Sequence, residues 1–154
     1  MYFILLFFHS IVRWLVLAAL LYSIYRAWKG LKSHRPFSKS DNALRHWTAT
    51  IAHIQLIIGF TLYLKSPQIK YFFSWPQLAI RQPEMAFFAI AHILLMLLSI
   101  VIITIGSALA KRKLTDREKF RTMMSYYSIA LLLIFLAIPW PFSPFAHRPY
   151  IRPF

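Results

Sequence analysis

An all-α integral membrane four-helix bundle with both termini outside is the fold class this sequence predicts, and three observations predict it. Of 154 residues, 59% are hydrophobic and 18% aromatic, a balance foreign to soluble globular domains. The apolar residues gather into four runs, at approximately 3–25, 47–64, 86–110 and 123–138. Each is near or above the roughly 20 residues needed to cross a hydrocarbon core of about 30 Å. Eighteen basic residues face only four acidic ones, and the basic residues fall mostly in short clusters between the runs. A formal charge of +14 arranged in this way marks membrane topology, with the lipid bilayer and not nucleic acid as the partner.

The first run opens "MYFILLFF" without the basic leader and small-residue cleavage site of a secretory signal, so it reads as a retained helix. Between runs one and two, "RAWKGLKSHRPFSKSDNALR" holds Gly30 and Pro36, which are expected to break the helix, and Ser40, Asp41 or Asn42 as candidate caps for the next. Between two and three, "KSPQIKYFFSWPQLAIRQPE" brackets an aromatic cluster with prolines, as an interfacial segment does. "KRKLTDREKFR" joins three to four and is short and charged. The fourth run stops at Pro139, and the tail "PWPFSPFAHRPYIRPF" alternates proline with aromatic residues, as a segment at headgroup level would. No internal repeat and no separate soluble domain is visible, so residues 1–154 read as one transmembrane domain.

Lys and Arg orient the bundle. Loop one holds six (Arg26, Lys29, Lys32, Arg35, Lys39, Arg45) and loop three holds six (Lys111, Arg112, Lys113, Arg117, Lys119, Arg121). The middle loop holds three (Lys65, Lys70, Arg81) and the tail two (Arg148, Arg152). Twelve against five predicts cytoplasmic loops one and three and periplasmic termini, in a multi-pass protein of a bacterial inner membrane.

Topology converts positions into depths. Helix one enters from outside, which puts His9 roughly 9 Å below its outer end at 1.5 Å per residue. Helix three enters from the same side, and His92 in "FFAIAHILLMLL" lies equally far from its start. Helix two runs the other way: His46 is at its inner boundary and His53 roughly 10 Å further in, near the midplane. His34 and His147 fall in a loop and the tail, and helix four has no histidine. Two neutral imidazoles at equal depth on different helices are what a six-coordinate heme iron requires, one axial nitrogen from each side. His9 and His92 are therefore the candidate iron ligands. The stripes that share their faces, Arg13, Val16, Leu20 and Ser23 on helix one and Met96, Ser99, Ile103 and Gly106 on helix three, can both accommodate a ligand. The chain has no cysteine, which excludes thiolate metal sites, iron–sulfur clusters and covalent c-type attachment, so any heme is held non-covalently.

A bland reading stands beside this one. An intramembrane histidine is often a hydrogen-bonding residue between helices, and Ser10, Thr48, Thr50, Ser99 and Ser128 are available partners. His53 stays open between a partner for either other histidine and a residue of a quinone or proton site. Arg13 sharpens the question. The four acids, Asp41, Glu84, Asp116 and Glu118, all lie in loops or at helix boundaries, so none reaches Arg13. Its partner is expected to be a group the sequence does not contain, such as a heme propionate, a quinone carbonyl, a lipid phosphate or a carboxylate of another subunit. Satisfaction by carbonyls and water is the alternative.

The stretches "HSIVRW", "RHWTATIAHIQLIIGF", "AHILLMLLSIVIITIGSA" and "IPWPFSP" resemble the small bacterial inner-membrane proteins known simply as cytochrome B, and more distantly the four-helix b-type cytochromes that exchange electrons with quinols. The resemblance covers all four helices and implies heme b, quinone chemistry and a place in a respiratory redox chain among other membrane redox subunits. It does not extend to the second bis-histidine heme of the di-heme proteins, which use histidines on the last helix. Three functions follow as expectations. One is a b-type cytochrome or heme- and quinone-linked electron-transfer subunit, with His9, His92, His53 and Arg13 as cofactor-binding residues. Another is a non-catalytic accessory subunit packed on a larger membrane complex through the aromatic loop and the tail. A small transporter or channel component is the third, weakened by the lack of an acidic relay.

Overall fold

The computed structural model describes residues 2–151 except 145 and 147, so His147 and Arg152, counted above with the tail, lie outside the described residues. Among the described residues six helices follow one another: α1 (Tyr2–Lys32), α2 (Lys39–Lys65), α3 (Pro67–Ser74), α4 (Pro76–Ala79), α5 (Pro83–Arg112) and α6 (Asp116–Ala137). Among the described residues there is no strand, and α1, α2, α5 and α6 are long and apolar enough to cross a membrane. The all-α four-helix architecture is as the hydropathy pattern predicts.

Helix boundaries depart from the apolar runs in one direction. At 31 residues, α1 is about 46 Å long, more than the hydrocarbon core needs. Gly30 does not break it. The residue is buried inside the helix because the Phe120 ring lies where a side chain would be; a Cβ there would come within 2.5 Å of the ring. The helix ends two residues later, and His34 turns the chain with a left-handed φ of 51°. The cap of α2 is Ser38, ahead of the expected Ser40, Asp41 or Asn42. Ser38 accepts from the Asp41 amide while the Asp41 carboxylate accepts from the Ser38 backbone, a capping box that starts the helix eight residues before the apolar run. Thr115 and Glu118 form a second capping box and start α6 seven residues before its run. Hydropathy marks where lipid begins, whereas the caps mark where the helix begins.

In the bundle α1 packs on α2 and α6, and α5 packs on the same two. Antiparallel neighbours form the sides of a square, and the parallel helices α1 and α5 face each other across its diagonal. At the end carrying the basic loops the square is closed. Leu20, Ile103, Phe120, Met123 and Tyr127 are fully buried there, and Ser23 and Thr48 share a hydrogen bond of 2.8 Å between α1 and α2. The expected inward stripes are largely as read: Val16, Leu20 and Ser23, and Ser99, Ile103 and Gly106, are buried. Outside, Leu94, Ile57 and Leu132 are about 60% exposed or more, an apolar surface that lipid covers. The loop between α2 and α5 forms the short α3 and α4, each opened by a proline at its first turn, with Ile69 and Phe72 turned inward and Phe73 and Trp75 outward.

Candidate functional site: a cavity between two histidines

At the end carrying the termini the same square encloses a cavity of about 200 Å³. Its walls are mostly apolar and include Val16, Leu56, Met96, Ile100, Ile134 and Ile138. Its polar groups include His9 and Arg13 from α1, Gln55 and Tyr63 from α2, His92 from α5 and Arg148 from the tail, while α6 contributes an apolar wall.

His92 is set by two irregularities. Residues Phe87–His92 form a π-helical segment inside α5. The wider turn carries one extra residue and so changes the face on which the following side chain emerges. The segment ends on His92, whose ring packs against the touching rings of Phe87 and Phe88 at centroid distances of 5.9 and 5.8 Å. Tyr63 steadies it by donating its hydroxyl to the Ala89 carbonyl at 2.9 Å. The second irregularity is the stop of α6. In a continuing helix the carbonyls of Phe135 and Ala137 would accept from residues 139 and 141, and both are prolines without an N–H. Side chains take both: the Trp140 indole donates to Phe135 at 2.9 Å, and Nδ1 of His92 meets the Ala137 carbonyl at 2.8 Å. A carbonyl only accepts, so Nδ1 carries the proton and Nε2 keeps a free lone pair.

His9 faces His92 across the diagonal, with ring centroids 6.5 Å apart and planes at 69°. Its ring lies against Gly59 of α2, where a Cβ would approach Cε1 to 2.9 Å. Among the described residues its Nδ1 is buried without a hydrogen-bond partner. The equal-depth expectation for the pair therefore corresponds to real proximity.

Arg13 departs from expectation. The partner expected from outside the chain is, in the structure, the chain's own tail: the guanidinium donates to the backbone carbonyl of Tyr150, which also accepts from the Trp14 indole at 3.1 Å. Hydropathy places the tail at headgroup level, but Trp140 packs on Trp14, and the chain folds back to bring Tyr150 beside Arg13. The carbonyl alternative is thus realised for one edge of the guanidinium. Its Nε remains buried and unpartnered. At the mouth of the cavity Arg148 pairs with Glu84 and lies over the Phe88 ring at 5.1 Å.

His53 does not line the cavity. Its Nε2 meets the Thr104 hydroxyl at 3.0 Å, a bond between α2 and α5. Missing from the sequence reading were Gln55, Gly59 and Tyr63, although their spacing of four residues is the signal of one helix face turned inward. The amide of Gln55 donates to the His9 backbone carbonyl at 2.9 Å, and its oxygen is buried and unpartnered.

The cavity offers two facing imidazoles as possible metal donors. Among the described residues no three His, Cys, Asp or Glu side chains converge, so the donor set is two imidazoles. Two metal–imidazole bonds of about 2 Å, plus about 1 Å from each nitrogen to its ring centre, add to roughly 6 Å, close to the observed 6.5 Å. The walls around the two rings are mostly apolar, and among the described residues Nε–H of Arg13 has no acceptor. No protein-family profile matches the chain, and neither a curated protein nor a solved structure does.

Proposed function

We propose that this chain is a membrane cytochrome of b type, an electron-transfer subunit linked to the quinone pool of a respiratory chain, with His9 and His92 as the axial ligands of one heme. The observation that carries the reading is the facing of those two rings across the bundle diagonal, with the Nδ1 proton of His92 tied to Ala137 and its Nε2 left with a lone pair. A metal-bound imidazole is regularly oriented by such a hydrogen bond from its other nitrogen. When bound, heme b supplies a one-electron carrier. The protein supplies the rest. His9 and His92 would hold the group through their imidazoles. The wall residues keep water out and lower the local dielectric. Arg13, anchored by Tyr150, offers Nε–H to a carboxylate or a quinone oxygen.

The accessory-subunit reading loses part of its motive, because the tail that would dock on a partner is engaged with the chain's own bundle. We further propose a bacterial inner membrane with both termini periplasmic, on the twelve-to-five count of basic residues. The deciding experiment is the reduced-minus-oxidised absorption spectrum of detergent-purified protein together with its heme-to-protein ratio. Low-spin bands at a ratio near one are expected, whereas a colourless protein refutes the assignment.

A further inference from the structure

The two histidines are treated unequally. Nδ1 of His92 has its acceptor, whereas Nδ1 of His9 and Oε1 of Gln55 are both buried and unpaired. A buried polar atom left unpaired costs about 1–3 kcal/mol, so the asymmetry asks for a cause.

The orientation of Gln55 is not a free choice. The His9 carbonyl can only accept, so the nitrogen of the amide faces it at 2.9 Å and the oxygen points elsewhere as an obligate acceptor. Helix α2 also meets His9 at two successive turns. Gln55 touches its backbone, and Gly59 touches its ring, where a Cβ would stand 3.4 Å from Nδ1. A His9 ring that gives Nε2 to a metal keeps its one proton on Nδ1 and becomes an obligate donor. Unpaired donor and unpaired acceptor thus come from residues already bonded to each other.

We infer that Gln55 is the positioning residue of His9: it holds the backbone through its amide nitrogen, and its Oε1 accepts the Nδ1–H of the coordinating ring. It does for His9 what the Ala137 carbonyl does for His92. The inference rests on the axial-ligand reading above. Nε–H of Arg13, the third unpaired atom, is the rival donor for the same oxygen.

The test uses the full chain as purified in detergent with nitrogen-15 histidine, reduced so that low-spin iron is diamagnetic, in wild-type, Gln55→Leu and Gln55→Glu forms. The His9 resonances are identified by their loss in His9→Ala. Expected is a single Nδ1–H tautomer in wild type and Gln55→Glu and a mixture in Gln55→Leu. Heme loss to a scavenging globin should accelerate about 10- to 100-fold in Gln55→Leu and recover in part in Gln55→Glu, which keeps the acceptor for Nδ1–H but lacks the donor to the His9 carbonyl. The reduction potential should rise in the first variant and fall in the second, because an acceptor at Nδ1 makes the ring a stronger ligand. A heme-containing Gln55→Leu protein with unchanged tautomer, potential and heme-loss rate overturns the inference and assigns the amide oxygen to Arg13. A colourless wild type whose His9 tautomer still depends on Gln55 overturns the heme reading alone.

Discussion

The two ends of the bundle are built on opposite principles. At the basic-loop end every charged group that is buried is satisfied. Asp41, with no exposed side-chain surface, takes Arg26 at 2.8 Å and Arg35 from the loop, and its capping bond to Ser38 besides. Arg45 is buried and donates to the Ser107 carbonyl at 2.9 Å and to Asn42, while Tyr127 donates to the Arg45 carbonyl at 2.7 Å. Gly30 and Gly106 let the rings of Phe120 and Tyr126 close against the backbone. At the terminal end, among the described residues, buried unpaired atoms of His9, Arg13 and Gln55 lie around a cavity. Within the same four helices, one end completes its packing and its hydrogen bonds, while the other leaves polar groups facing a cavity.

The largest expected effect breaks the ligand end. Alanine at His92, or at His9, should abolish the low-spin spectrum, since one remaining imidazole and the walls supply only part of the binding free energy. His53→Ala, which removes a bond to Thr104 on another face, should leave the spectrum intact. Spectra at equal protein concentration decide this, and loss of heme in His53→Ala with retention in His9→Ala would exchange their roles.

Next comes the closed end. Asp41→Ala leaves Arg26 and Arg35 without their shared carboxylate and removes half a capping box. A loss of roughly 2–3 kcal/mol is expected, below the 3–5 kcal/mol for a fully buried pair because both arginines are partly exposed. Thermal unfolding in detergent measures it, and the spectrum of the protein still folded should match wild type. A changed heme spectrum would mean that the two ends are coupled.

A smaller effect tests Arg13. Arg13→Leu should insert and fold but lose most electron-transfer activity, whereas Arg13→Lys should keep part of it, supplying charge without the planar fork. Full activity in the leucine variant, measured by reduction with a quinol, would reduce Arg13 to an anchor for the tail.

The mildest perturbation sharpens which end faces which compartment. The chain has no native cysteine, so single cysteines at exposed Ser33 and Pro144 can be labelled cleanly. A membrane-impermeant thiol reagent in cells with a permeabilised outer membrane should label Pro144→Cys and spare Ser33→Cys. The reverse pattern would invert the sidedness.

Much of this was legible in the order of residues. Four spans, the inward stripes and the pairing of His9 with His92 follow from hydropathy, helical period and equal depth, because lipid leaves a chain few ways to satisfy its backbone. Even the helix stop at Pro139 is local chemistry. What only the tertiary structure decided depends on contacts between segments far apart in sequence. Tyr150 reaches Arg13 because the tail turns back along Trp140 and Trp14. His92 finds Ala137 because a proline beyond the end of another helix leaves that carbonyl free and the ring follows a π turn. Gly30 looks like a break until Phe120 is seen to need its space, and Gln55 looks ordinary until its amide meets His9. Composition and period describe how each segment meets its solvent, while a hydrogen-bond partner at a distance is chosen only when the segments are packed together.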